Sequence, residues 1–120
     1  MSFYVVITLD AQNVKGSITT RLNKEINLRG DWEVAINDTN LIEGEADYYV
    51  FCDFVDYTFI NDGLAPLIGI IKSAEPAKMY VRVNKKRFSS INMEIKFHLT
   101  KDLPATILND SYFILHFRKA

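Results

Sequence analysis

Hydrophobic positions recur with a period of two along most of this chain, the spacing of strands rather than helices. Phe3, Val5, Ile7 and Leu9 alternate with Tyr4, Val6, Thr8 and Asp10. Leu22, Ile26 and Leu28 share a parity across Lys24, Gly30-Asp31 interrupts, and Trp32, Val34 and Ile36 then resume the alternation against Glu33 and Asn37. Tyr48, Val50, Cys52 and Phe54 oppose Tyr49, Phe51, Asp53 and Val55 in a stretch whose aromatic and β-branched content suits a central strand. Asn61-Asp62-Gly63 predicts a reversal, because these residues tolerate positive φ or cap their own backbone. Beyond it, Pro66 to Lys72 reads as a short buried strand, and Met79, Val81 and Val83 alternate with Tyr80 and Arg82. Ile91, Met93, Ile95, Phe97 and Leu99 share one side of a strand whose other side carries Asn92, Glu94, Lys96 and His98. Tyr112 to Lys119 closes the series with Phe113, Leu115 and Phe117 on one side.

About eight strands separated by turn signals predict an all-β fold, an antiparallel β-sandwich or barrel. The best helical stretch, Thr19 to Ile26, has β-branched neighbours and no capping box, and is expected to form a short turn at most. Repeats, low-complexity segments and linkers are absent, so residues 1–120 are expected to form a single domain. With 48% hydrophobic residues the chain can fill one such core, whereas two domains would each be starved of apolar material.

Charge and cysteine content narrow the function. Fourteen Lys and Arg against 15 Asp and Glu leave a net charge of −1, so no overall field draws the protein to nucleic acid or an anionic membrane. The single cysteine, Cys52, cannot form an internal disulfide, which fits a reducing compartment. The N-terminus lacks a basic leader and a cleavage site, and no apolar run approaches the roughly 20 residues of a membrane-spanning helix. An intracellular protein with no membrane partner is expected.

Residues capable of chemistry do not converge along the sequence. His98 and His116 fall opposite the main apolar stripes, where a solvated or interface face is the usual role. Cys52, inside an aromatic strand, is expected to be a buried, inert thiol. Asp53 and Asp56, three residues apart, would point to opposite faces of a strand. Phosphate loops, Ser-centred elbows and Cys-x-x-Cys pairs are absent. No catalytic residue, metal site or cofactor is expected.

Two features point to interfaces instead. Lys85-Lys86-Arg87, beside Phe88 and near Tyr80, is the one basic cluster, but three cations are few for phosphate recognition and no nucleic-acid partner is expected. A solvated loop or a subunit-contact rim suits it better, and Arg118 at the chain end is a similar candidate anchor. The aromatic residues lie on both parities and cannot all fit one face of a small sandwich, so some, with Tyr57 and Phe59 as candidates, are expected at a protein contact.

Three stretches resemble a family of short proteins encoded by Maverick/Polinton elements and adintovirus-like DNA viruses of animals. Leu22-Asn23-Lys24-Glu25-Ile26-Asn27-Leu28-Arg29-Gly30-Asp31-Trp32-Glu33-Val34-Ala35-Ile36 is similar to the family pattern of spaced Leu, Ile, Leu and Gly before Trp-Glu-Val. Tyr49-Val50-Phe51-Cys52-Asp53 followed by Asn61-Asp62-Gly63-Leu64-Ala65-Pro66-Leu67 resembles its central strand, turn and Ala-Pro-Leu segment. Leu115-His116-Phe117-Arg118 resembles its terminal Leu-His-Phe-Arg. The resemblance implies a single jelly roll and a structural role in the virion, as a small capsid-associated or vertex-type subunit made in the interior of the host cell. Its expected partners are copies of itself, in a trimer or pentamer, and other capsid proteins. The competing expectations are a monomeric β-sandwich module that binds a peptide or carbohydrate, and a small metal-independent enzyme.

Overall fold

A computed structural model of the chain describes residues 2–8, 17–39, 48–60, 63–72, 75–76, 79–97, 101–102 and 112–120. Among the described residues, twelve strands follow in order: β1 (Ser2–Thr8), β2 (Ser17–Asn27), β3 (Trp32–Thr39), β4 (Tyr48–Cys52), β5 (Thr58–Ile60), β6 (Gly63–Ala65), β7 (Leu67–Lys72), β8 (Glu75–Pro76), β9 (Val81–Arg82), β10 (Arg87–Phe97), β11 (Lys101–Asp102) and β12 (Tyr112–Lys119). No helix occurs among the described residues. The stretch Thr19 to Ile26 lies within β2, where Thr19, Thr20 and Ile26 favour an extended backbone and pair with β10.

The strands form two main antiparallel sheets. The first has the order β1-β12-β3-β9, and the second runs β11-β10-β4-β7-β8 with β2 also paired to β10. A separate hairpin joins β5 and β6. Taken in sequence, β1, β3, β9 and β12 belong to the first sheet and β2, β4, β7 and β10 to the second, so the chain repeatedly crosses from one sheet to the other.

Alternation explains which residues meet between the sheets. Phe113, Leu115 and Phe117 of β12 are buried with Ile91, Met93 and Ile95 of β10 and with Tyr48, Val50 and Cys52 of β4. The resulting core is one continuous cluster to which both sheets contribute. Phe117 sits at its aromatic centre, with ring centroids 4.8 Å from Phe3, 5.5 Å from Phe54 and 6.2 Å from Phe88. Trp32 is also buried, its indole Nε1 donating to the Arg29 carbonyl at 2.9 Å.

Between Arg21 and Ile26, β2 advances five residues while β10 advances two, from Ser90 to Phe88. This bulge leaves Leu22 and Ile26 half-buried against the core, on the same side as Leu28. The turn into β3 is made at Gly30, whose φ of 81° suits a residue without Cβ. Phe51 departs from the simple alternation. It lies on the parity opposite Val50 and Cys52, yet it is buried, and it shares a cleft with the β5–β6 hairpin.

Candidate interaction surface

The six candidate contact residues lie on three parts of the fold. Lys85, Lys86 and Arg87 lead into β10, and each engages a carboxylate. The Lys85 ammonium lies 3.1 Å from Asp53, and the Arg87 guanidinium places Nε and Nη2 at 3.1 and 3.0 Å from one oxygen of Glu25. Lys86 lies 3.8 Å from Asp31 and also donates to the Gly30 carbonyl. Matched in this way, the cluster presents three local ion pairs rather than the concentrated positive field that gathers phosphates. Exposed pairs of this type contribute about 0–1 kcal/mol each, so they orient the chain entry into β10 more than they stabilise it.

Asp53 has a further role at the end of β4. Its carboxylate accepts from the Asn92 backbone N–H at 3.2 Å and from the Asn92 amide Nδ2 at 2.9 Å, while the Asn92 Oδ1 accepts from Thr19 at 2.8 Å. These bonds tie β4, β10 and β2 together across the second sheet. The Asp53 carboxylate is therefore held by structural partners, and the Asp56 backbone N–H donates to the Arg82 carbonyl.

Tyr57 and Phe59 flank and occupy the β5–β6 hairpin. Phe59 is 76% exposed and pairs across the hairpin with Leu64, itself 55% exposed. On its other parity the hairpin turns Ile60 toward the second sheet, where Ile60, Leu64, Ala65 and Pro66 line an open cleft of about 340 Å³ with Phe51, Glu94 and Lys96. The Lys96 ammonium lies 3.1 Å from Glu94 and 5.8 Å from the centroid of the Phe51 ring. The hairpin thus borders an apolar cleft on the outer face, with Phe59 exposed beyond it and Leu64 exposed at its rim.

Arg118 belongs to a third region, the outer face of the first sheet. Its Nε lies 2.6 Å from Glu33, and its guanidinium carbon is 3.4 Å from the centre of the Tyr80 ring. The Tyr80 hydroxyl is 2.7 Å from His116 Nδ1, and the His116 ring stacks on Tyr4 at 4.7 Å. A polar and aromatic row therefore runs from Glu33 on β3 through Arg118 and His116 on β12 to Tyr4 on β1. Parity placed Tyr4 opposite Phe3, Val5 and Ile7 and His116 opposite the apolar stripe of its own strand, and the pairing of β1 with β12 brings the two onto one face. Tyr80 was not legible as their partner, because its approach depends on the pairing of β9 with β3.

His116 is hydrogen-bonded to Tyr80 and stacked on Tyr4, and no group of three His, Cys, Asp or Glu residues suited to a metal ion occurs among the described residues. Cys52 is buried, and desolvation pushes its thiol well above the usual range, which disfavours the nucleophilic thiolate. His98 lies outside the described residues. No protein-family model matches the sequence, and no curated protein matches it.

Proposed function

We propose that the chain is a single jelly roll that serves as a structural subunit of a virus-type particle and acts through protein contacts rather than catalysis. The observation that carries this reading is the strand order. β1-β12-β3-β9 in one sheet and β2-β10-β4-β7 in the other, with the chain crossing between them, is the division expected of two interlocked Greek keys. The sequence resemblance points to the same role. Lys85, Arg87 and Arg118 are each paired with a carboxylate, while Tyr57, Phe59 and Leu64 are exposed as apolar contact groups.

In this reading the subunits assemble side by side through heterologous contacts that close as a trimer or pentamer, and the rings meet other capsid proteins in the virion. Sedimentation velocity from low micromolar to near-millimolar concentration, at low and high salt, tests the assembly. A discrete trimer or pentamer that dissociates in Phe59→Glu supports it, and a monomer under every condition overturns it. The cleft beneath the β5–β6 hairpin favours a second reading, a monomeric module that binds a peptide or carbohydrate. Its mark would be a monomer whose Leu64 and Lys96 resonances shift saturably with such a ligand.

A further inference from the structure

Among the described residues the strand order of each sheet ends at two sides, and three of the four are covered or carry familiar protection against pairing with another chain. In the first sheet, β9 is only two residues long, and residues 54–56 pair along its outer side, the Asp56 N–H donating to the Arg82 carbonyl and the Asn84 N–H to the Phe54 carbonyl. In the second, β8 has two residues and ends in Pro76. On the opposite side, β2 is bulged and carries Arg21, Lys24 and Glu25, and β11 is the charged pair Lys101-Asp102.

β1 has none of these devices. It is seven residues of Ser-Phe-Tyr-Val-Val-Ile-Thr, with no charge, proline, glycine or bulge, and among the described residues its one partner strand is β12. Tyr4 and Val6 are 58% and 59% exposed on its outer side, and Phe3 and Val5 are only half-buried on its inner side. The side of β1 away from β12, which no strand of the described residues pairs with, offers a row of backbone donors and acceptors bordered by apolar side chains.

We infer that β1 is a two-fold contact at which a second copy of this chain adds its own β1 antiparallel, making one continuous sheet across the pair. The occupant follows from the strand itself. Turned about a two-fold axis through its midpoint, Val5, the strand places Ser2 opposite Thr8, Phe3 opposite Ile7 and Tyr4 opposite Val6 of the second copy. Hydroxyl meets hydroxyl, and aromatic meets β-branched on both faces, which are favourable cross-strand pairs. No like charges meet anywhere along it. The contact is isologous and closes at two, so it links assemblies rather than building a ring, and it does not depend on ring formation.

Cysteine trapping reads this register directly. Oxidation with copper phenanthroline should join Val5→Cys to its own copy, because opposed residues of an antiparallel pair lie within disulfide reach. It should also join Tyr4→Cys to Val6→Cys in a mixture, while each of those alone cross-links at least tenfold more slowly. The wild-type chain, with Cys52 buried, is the blank. In a second measurement, Tyr4→Lys/Val6→Lys and Tyr4→Glu/Val6→Glu should each sediment without the dimer and form it again when mixed. Unchanged circular dichroism would show that both variants keep the fold. Equal cross-linking rates at positions 4, 5 and 6, or no heterodimer on mixing, would overturn the inference. A β1 dimer without rings would leave it standing and remove the ring assembly proposed above, and rings without the Val5→Cys cross-link would do the reverse.

Discussion

Replacing Phe117 probes whether the two sheets are held face to face by the aromatic stack at their centre. Its side chain is fully buried, with Phe3 from its own sheet at 4.8 Å and Phe54 and Phe88 at 5.5 and 6.2 Å on the other side of the sandwich. Truncation to alanine removes the ring and leaves a void that three neighbouring rings cannot fill without leaving their rotamers, so Phe117→Ala should cost about 3–5 kcal/mol. At roughly 4 °C per kcal/mol for a domain of this size, the melting temperature should fall by about 12–20 °C. The assay is urea unfolding followed by fluorescence of Trp32, the one tryptophan, which is buried with its ring 5.5 Å from Phe3. A double-mutant cycle with Phe54→Leu and Phe117→Leu then isolates the pair and should give a coupling of about 0.5–1.5 kcal/mol. Phe59→Ala, at an exposed position, is the control and should change stability by no more than about 0.5 kcal/mol. A cost below about 1 kcal/mol for Phe117→Ala, or strict additivity in the cycle, would refute packing of the sheets through this stack.

Asp53→Ala removes the acceptor of two bonds from Asn92 and should cost about 1–3 kcal/mol in chemical denaturation, whereas Lys85→Ala should cost no more than about 1 kcal/mol; equal costs would show that the Asn92 bonds contribute nothing beyond the ion pair. Burial raises the Cys52 thiol in the folded chain, so above about pH 8.5 the unfolded chain releases that proton while the folded chain retains it. Stability should therefore fall as pH rises past that value, with Cys52 contributing up to about 1.4 kcal/mol per pH unit. The measurement is the stability difference between wild type and Cys52→Ala as a function of pH, and parallel curves would contradict the assigned burial.

The parts of the fold that were legible in the sequence are those that depend on one strand at a time. Successive side chains of a strand leave on opposite faces, so the positions of Ile91, Met93 and Ile95, or of Phe113, Leu115 and Phe117, are decided by parity as soon as those segments are extended. The outward placement of Tyr4 and His116 follows in the same way. The Asn61-Asp62-Gly63 signal announced a reversal, but not the two short strands flanking it. Three residues on each side carry too little periodicity to be distinguished from a loop.

What tertiary structure alone decided are the partners. Lys85-Lys86-Arg87 reads as a basic patch until Asp53, Asp31 and Glu25 arrive from other elements and match it charge for charge. Phe51 has the parity of an exposed residue and is buried because a hairpin later in the chain lies against that face. Tyr80 meets His116 across 36 positions, and the whole order of strands is a set of such distant pairings. Alternation is a local property of an extended backbone, and a linear sequence carries it directly. Neighbours across a sheet come from many strands burying their apolar faces together, so the surface this protein presents to others exists only in the folded chain.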